Sequence, residues 1–423
     1  MNKNLFNQTI KYALPLFLQF FIIGFLYQAD ILFAEGFNKE ALDVIFPESI
    51  ISLFVIFILN SIYISFQVSL SYYIGNSNNE KINEIMEFMK KVRVGLFIFV
   101  FLILIFSSHI VNLLIQNPLD YKESLLYFRI ITLSYFFLIY TYDSNVKFRC
   151  FEIVNKATMI SLFCASLNMI LNFLFINKFG INVIAFNVLI TRMIEVFLSE
   201  RYLEKLNFPF KGIKYKNSEV INGIKKTMSL LITSSSLEII ITYIFLVKLY
   251  SLNENVLLFT ETALVLVQIS FIFNNLLITM VDVMIGKLFA RFDVNHIKLE
   301  LKYFIIFSLI CSIVGIVLNF IAYFMFKEAL HSNIDTNLIF EFTLIFSLFL
   351  FPKFLGIIFK ELLRCLNYNR IYMYIDIFSF IVTFLIIIIF NYTYLELIFI
   401  FFICMYFIKT IVTLLFLYKK HYI

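Results

Sequence analysis

One acidic residue stands inside the first long apolar run of the sequence. Asp30 lies about 19 residues beyond Lys11, which corresponds to roughly 28 Å along a helix at 1.5 Å per residue. A carboxylate that loses its hydration takes up a proton more readily, so such a group can bind and release H+ during a cycle. The position therefore indicates a cation-coupling residue. The alternative is that Asp30 lies near the outer water interface, close to Glu35, and is simply solvated.

Two asparagines occur four residues apart in a later apolar run. Asn168 and Asn172 share one face if this run is helical, which directs both amides into a common bundle interior. They could form a relay or substrate site with an acid, or they could only join helices through interhelical hydrogen bonds. Asn274, in the middle of another apolar run, is open to the same two interpretations.

The second half of the sequence contributes an acid and a base. Glu238 lies about 12 residues past Lys226, roughly 18 Å along a helix and close to the bilayer midplane. Oxygens of Glu238 and of the preceding serines could partly supply a Na+ site. Lys353 directly follows Pro352, and a buried ammonium there would seek an anion. We hypothesise that Glu238 and Lys353 form a buried pair; the alternative is that Lys353 snorkels to the outer interface.

Other charges inside the apolar runs are less informative. Arg192 and Glu195 lie three residues apart, so we expect them to pair locally on one helix face. Asp282 and Asp376 lie near the ends of their apolar runs, where we expect both to meet interfacial water.

Helices that cross a membrane must position these residues. Hydrophobic residues make up 61% of the 423 residues and charged residues only 15%, a composition that excludes an ordinary soluble protein. A segment in hydrocarbon must close its own backbone hydrogen bonds, so each apolar run of about 20 residues should be a helix. Twelve spans are predicted, at 12–34, 46–74, 94–116, 125–146, 157–177, 180–198, 225–249, 256–285, 303–326, 338–363, 371–391 and 394–418.

The distribution of Lys and Arg predicts the orientation. In the loops these residues cluster on the side that includes both termini, and the opposite side carries only Lys39, Lys122, Lys178, Lys248 and Lys327. Positive residues mark the cytoplasmic side, so we expect a multi-pass protein of the plasma (inner) membrane with both termini in the cytoplasm. The net charge of +6 then reflects topology in a lipid bilayer, and no nucleic-acid partner is expected.

Internal repetition divides the twelve spans into two sets of six. Arg149-Cys150 recurs as Arg364-Cys365 at an offset of 215 residues. Because six is an even number, both sets face the same way across the membrane, as parallel repeats related by a pseudo-two-fold axis along its normal. The predicted parts are an N-terminal six-helix lobe at 1–198, a cytoplasmic linker at 199–224 and a C-terminal six-helix lobe at 225–423.

Several motifs resemble those of the multidrug and toxic compound extrusion (MATE) family of transporters. Pro15 followed by Tyr27-Gln28-Ala29-Asp30-Ile31-Leu32-Phe33 is similar to the family's first-helix pattern, in which Leu-Pro leads to Tyr-Asn-x-x-Asp-x-x-Phe. Also similar in order and spacing are Tyr73-Ile74-Gly75, the Arg149 loop, Asn168-x-x-x-Asn172 and Gly180. The resemblance extends over the whole chain.

This resemblance implies two six-helix bundles around a central cleft that opens alternately to either side. It also implies that Asp30 responds to protons and that Tyr27 and Gln28 contribute to a substrate or relay site, with Gln28 at the family's usual Asn position. Glu238 resembles an acid that some members use for sodium or proton coupling. Asn172 and Lys353 depart from the pattern, because relatives often carry Asp at these positions.

We therefore expect a secondary active exporter of amphipathic, often cationic organic compounds, working as a monomer by antiport with H+ or Na+ and by alternating access. Two alternatives remain open: a lipid-linked saccharide flippase of the same superfamily, for which only Lys353 and Arg129 offer cleft cations, and a transport-inactive membrane scaffold. The sequence has no Walker-type loop and no His-x-x-x-His, Cys-x-x-Cys or Gly-x-Ser-x-Gly motif. An enzyme, a bound cofactor or a metal centre is therefore not expected.

Overall fold

The computed structural model of the chain describes residues 11–22, 30, 33–34, 41–114, 121–206, 218–252, 256–291, 294–329, 336–389 and 394–420. Regular secondary structure within these ranges is helical throughout. The chain divides into two compact units, one within Asn7–Lys225 and the other within Lys226–Ile423. The predicted all-α architecture therefore holds for the described residues.

The first unit is organised around α5. Its helices are α1 (Lys11–Ile22), α2 (Ala41–Gly75), α3 (Asn79–Ile105), α4 (Ser107–Leu114), α5 (Tyr121–Cys150), α6 (Val154–Phe179) and α7 (Asn182–Lys205). The axes of α3 and α4 differ by 60° across the break between them, so the two form one bent element. Since α5 packs against α2, α3, α4, α6 and α7, polar side chains on α5 can meet groups from most of the unit.

The second unit is organised around α12 in the same way. Its helices are α8 (Glu219–Leu252), α9 (Val256–Arg291), α10 (Val294–Ala329), α11 (Thr336–Leu348), α12 (Leu350–Cys365), α13 (Asn369–Ile389), α14 (Tyr394–Phe402) and α15 (Lys409–Lys419). A π-helical turn, Ile403–Ile408, joins α14 to α15. The helix α12 packs against α9, α10, α11, α13 and α15, which gives it the central place that α5 has in the first unit.

Each of the twelve predicted spans overlaps a described helix or a broken helix pair. Nine described helical segments are long and apolar enough to cross a membrane; one of them comprises parts of α11 and α12, and another extends from α14 through the π-helical turn to α15. A tenth such element results when α3 and α4 count as one. The helix that contains the start of the span predicted at 94–116 is longer than the span, because α3 already begins at Asn79. The reason is local: the side chain of Asn78 caps the helix by accepting a hydrogen bond from the Lys81 amide at 3.1 Å.

Two helices extend into the range predicted as the linker. The helix α7 continues to Lys205 and α8 begins at Glu219, so helical structure enters the range 199–224 from both sides. Residues 207–217 of that range lie outside the described residues.

The sequence repeat is reproduced in backbone geometry. After α5, Glu152 has a φ of 62°; its amide donates to Arg149 O at 3.1 Å, and the next amide donates to Phe148 O at 2.9 Å. After α12, Asn367 has the same φ, and the corresponding bonds to the carbonyls of Arg364 and Leu363 measure 3.0 and 2.9 Å. Both turns are Schellman motifs with a left-handed residue after the helix. The predicted offset of 215 residues therefore describes a structural duplication as well.

Candidate cation-coupling site

A hydrogen-bonded cluster surrounds Asp30 in the first unit. Asp30 Oδ1 accepts from Asn168 Nδ2 at 2.9 Å and from Asn172 Nδ2 at 2.7 Å. Asn172 Oδ1 accepts in turn from Asn187 Nδ2 at 2.7 Å. All three amides are buried and Asp30 is half-buried. Three of the predicted site residues thus meet at one point, and the carboxyl contacts protein amides.

Local helix geometry explains why these residues meet. Asn168 and Asn172 are one turn apart on α6, so their side chains project from the same face. Gly180 has a φ of 75°, which favours glycine, and the chain reverses there into α7. Because α6 and α7 pack together, Asn187 on α7 reaches Asn172. The cluster therefore depends on helix spacing and on one tight turn.

The chemistry of the cluster follows from its groups. Amides donate and accept hydrogen bonds without gaining or losing charge in the physiological pH range, so Asp30 is the titratable member among Asp30, Asn168, Asn172 and Asn187. Buried polar groups without partners are costly, and the amide contacts satisfy the Asp30 carboxylate when it is ionised. This arrangement can hold either a proton or the positive charge of a ligand at one position.

A second polar group of the first unit was missed by the sequence analysis. Glu48 on α2 is 6% exposed and accepts from the Tyr135 hydroxyl of α5 at 2.9 Å. Arg192 on α7 donates to Ser134 Oγ of α5 at 2.6 Å. Charged residues inside membrane spans are candidate functional residues. The position of Glu48 within the predicted span 46–74 was therefore the signal in the sequence that could have identified it.

The expected pair of Arg192 and Glu195 was wrong. Arg192 takes Ser134 as its hydrogen-bond acceptor, whereas Glu195 accepts from Ser161 Oγ of α6 at 2.9 Å. Both side chains point to other helices, because buried charges gain more from partners on packed neighbours than from a solvated pairing along one helix.

Both units contain a polar layer at matching positions. In the first unit Gln19 Nε2 donates to Asn145 Oδ1 at 2.9 Å, and Ser161 donates to Glu195. In the second unit Lys360 Nζ lies 3.2 Å and Lys409 Nζ 3.0 Å from the carboxylate of Asp376, which also accepts from Ser234 Oγ. The matching pairs, at offsets of 214 or 215, are Gln19 with Ser234, Asn145 with Lys360, Ser161 with Asp376, and Glu195 with Lys409.

The expectation that water solvates Asp376 and Asp282 was wrong. Asp376 is only 4% exposed and carries the two lysine contacts described above. Asp282 is fully buried, with Arg364 Nη1 3.5 Å from its Oδ2. Burial of carboxylates at these helix ends is tolerated because cations from packed helices replace the water.

Lys353 is buried within the second unit. Its Nζ donates to Ser270 Oγ of α9 at 2.7 Å and lies 4.8 Å and 5.5 Å from the ring centroids of Tyr406 and Phe346. Such ring contacts stabilise an ammonium group in a water-poor site. Glu238 is close enough to act on this charge through its Coulombic field, while the direct hydrogen bond of Lys353 goes to Ser270.

The remaining predicted residues have separate places. Glu238 on α8 is half-buried and lines a small depression with Ser234, Asp376 and Lys409. Asn274 on α9 has a buried Oδ1 that accepts no hydrogen bond from the described residues. Tyr27 and Gln28 lie outside the described residues.

A family model matches the first part of the chain. Residues 15–174 are similar to the MatE family, a range that includes Asp30, Glu48, Asn168 and Asn172. None of the curated proteins matches the sequence.

Solved structures are similar over nearly the whole chain. An outward-facing multidrug resistance MATE family transporter of the MOP superfamily has a TM-score of 0.86 at 12% identity, with 98% of this chain and 95% of that chain covered. A crystal structure of MATE in complex with MaL6 has a TM-score of 0.84 at 11% identity, with 98% and 96% covered. A MOP superfamily transporter from Pyrococcus furiosus has a TM-score of 0.82 at 13% identity, with 98% and 95% covered. These likenesses confirm the predicted fold, twelve helices in two six-helix bundles.

Proposed function

We propose that this chain is a transporter of the MATE family, a multi-pass membrane protein with a small-molecule substrate; the match of residues 15–174 to the MatE family model supports this. We propose that it exports amphipathic, often cationic organic compounds by antiport and by alternating access between its two bundles. The observation that carries this proposal is the carboxyl of Asp30, held by the amides of Asn168 and Asn172.

The cluster supports antiport because it offers one negative charge to two competing cations. An ionised Asp30 attracts a cationic substrate, and a proton on the same carboxyl removes that attraction. The amides of Asn168 and Asn172 keep the carboxyl in place in both states, since their own charge does not change. Uptake of a proton from one side and of substrate from the other would therefore alternate at this residue.

We propose H+ rather than Na+ as the coupling ion. A sodium site needs several oxygen ligands around an open position. The ammonium groups of Lys353 and Lys409 are near Glu238 in the second unit. These fixed positive charges disfavour the binding of a further cation there. Lys353 would thereby act as a built-in cation, that is, a permanent positive charge near Glu238 in the place of a coupling ion. Coupling would then depend on Asp30.

The flippase alternative is less well supported. Recognition of a lipid-linked pyrophosphate requires cations that are available to the ligand. Lys353 Nζ donates to Ser270 Oγ at 2.7 Å and Arg129 Nε donates to Ser107 Oγ at 3.0 Å, while Lys360 and Lys409 both contact the carboxylate of Asp376. We further propose that the exporter is a monomer of the plasma membrane with both termini in the cytoplasm, in keeping with the positive-inside distribution of Lys and Arg.

An accumulation assay tests the proposal. In a pump-deficient bacterial host, cells with the wild-type chain should accumulate less ethidium than empty-vector cells, and Asp30→Asn should return accumulation to the empty-vector level. Glu204→Gln is the matched control, because this exposed carboxyl at the end of α7 lies outside the cluster. Equal accumulation with wild type and empty vector would favour the inactive-scaffold alternative, whereas full activity of Asp30→Asn would remove Asp30 from the coupling role.

A further inference from the structure

Glu48 and Arg192 lie on either side of one short stretch of α5. Ser134 accepts from Arg192, and its neighbour Tyr135 donates to Glu48. The guanidinium carbon of Arg192 lies 5.9 Å from the centroid of the Tyr135 ring. The helices α2 and α7, which each pack against α5, thus bring one acid and one base to adjacent positions of α5.

The helix that carries Arg192 also contacts the Asp30 cluster. Asn187, five residues earlier on α7, donates to Asn172, which donates to Asp30. Consistent with this arrangement, the charges that act on Asp30 through space include Arg192 and Glu48, and Arg192 acts on Glu48 as well. Asp30, Glu48 and Arg192 therefore form one electrostatic group inside the first unit.

Charge balance within this group constrains the behaviour of Asp30. A single carboxylate next to a guanidinium in a water-poor site stays ionised, because the opposite charge favours its charged form. An unbalanced Arg192 would therefore favour the ionised form of Asp30 and oppose uptake of the coupling proton. A second carboxylate that neutralises Arg192 removes this obstacle.

We propose that Glu48 is the counter-ion of Arg192, and that this pairing leaves Asp30 free to bind and release the coupling proton. Glu48 is thus a positioning residue that sets the charge around Asp30, and the three groups together hold one exchangeable proton. The inference rests on the proposed function and deepens it, because it assigns two residues that set the binding of the coupling proton at Asp30.

Other groups near Arg192 have different partners. Glu195 and Tyr142 also experience the field of Arg192. The carboxyl of Glu195, however, accepts from Ser161 on α6, in the polar layer that contains Gln19 and Asn145. Ser52 forms a further hydrogen bond with Glu48 on its own helix and has no charge to contribute. Glu195 is therefore the competing candidate that the experiment must separate from Glu48.

The test follows the protonated-carboxyl C=O stretch of the full-length protein in lipid nanodiscs by infrared spectroscopy over a pH series. The band that is lost in Asp30→Asn identifies Asp30. Glu48→Gln should lower the pH of half-protonation of this band, since the positive charge of Arg192 would then act on Asp30 without Glu48 to offset it. Arg192→Met should raise it, and the double variant Glu48→Gln/Arg192→Met should return it close to the wild-type value, because the local charge is again balanced.

Three further variants make the result specific. Arg192→Lys keeps the charge and should keep the wild-type midpoint even if Arg192→Met folds poorly. Glu200→Gln alters a carboxyl on the same helix that accepts from Ser144 and should cause no shift. A midpoint that responds to Glu195→Gln but not to Glu48→Gln would overturn the proposal, as would equal midpoints in Glu48→Gln and wild type. The titration requires no substrate, so failure of ethidium export would contradict the exporter function without deciding this inference.

Discussion

The cluster of Asp30, its two amide partners Asn168 and Asn172, and Asn187 gives the first unit a chemistry that the second unit lacks at matching positions. The residues at an offset of 215 from Asp30, Asn168, Asn172 and Asn187 are Phe245, Thr383, Ile387 and Phe402. The ring of Phe245 stacks on Phe401 with a centroid distance of 4.0 Å. One duplicated scaffold thus carries a polar cluster in one copy and a mainly apolar core in the other, because a few side chains differ.

At this scale we predict that Lys353→Ala changes both stability and coupling. Loss of the ammonium removes the hydrogen bond to Ser270 and the contacts to two rings, which should cost about 1–3 kcal/mol of unfolding free energy. Removal of the positive charge near Glu238 should also alter the pH dependence of ethidium export. Thermal unfolding in detergent and efflux at several pH values measure the two effects.

Lys205→Ala, at an exposed lysine of α7, is the control for Lys353→Ala and should leave stability and efflux unchanged. If Lys353→Ala kept both the wild-type unfolding temperature and the wild-type pH profile, Lys353 would have no role as a built-in cation.

Contacts between elements depend on small residues where helices approach closely. On α12, a Cβ added at Gly356 would overlap with Thr410 Oγ1 of α15. The same hydroxyl donates to Pro352 O at 2.8 Å, one turn before Gly356, so it already joins the two helices. This contact holds α15 against the central helix of the second unit.

At the element scale we predict that Gly356→Ala destabilises the second unit. The added methyl group must displace Thr410 and break its bond to Pro352, and overpacking of this kind costs about 1–3 kcal/mol. Gly95→Ala on α3 is the matched control, since nothing lies within 4 Å of a Cβ added there. A thermal unfolding series should show a lower midpoint for Gly356→Ala alone, and equal midpoints in both variants would contradict the close contact.

On the scale of the whole molecule, the two units repeat the same central helix and the same turn after it. Both units have a central helix, α5 or α12, that ends in the same left-handed turn. Each turn follows a helix that carries basic residues in its last turn, Lys147 and Arg149 or Arg364. Positive residues at corresponding helix ends are expected to face the same side of the membrane.

This orientation predicts the labelling of introduced cysteines by a membrane-impermeant maleimide. In intact cells Lys122→Cys, at the exposed start of α5, should react. Asn76→Cys, in the exposed turn after α2, should react only after permeabilisation. The chain without an added cysteine gives the background. The opposite pattern would place the termini outside the cytoplasm.

The amino-acid sequence by itself determined the helical class, the number of spans and the duplication. Hydrocarbon forces each apolar run to satisfy its backbone internally, so these features follow from composition and length. Motif spacing was sufficient to bring Asn168 and Asn172 to one helix face, and it singled out Asp30 as their possible partner.

Only the tertiary structure decided which side chains from different helices meet. It joined Glu48, Tyr135, Ser134 and Arg192 across three helices, and it gave Asp376 two lysine partners instead of water. It also directed the hydrogen bond of Lys353 to Ser270. Helical periodicity fixes the face on which a residue lies, but the partner of a buried charge depends on how neighbouring helices pack, and local sequence spacing does not encode that packing.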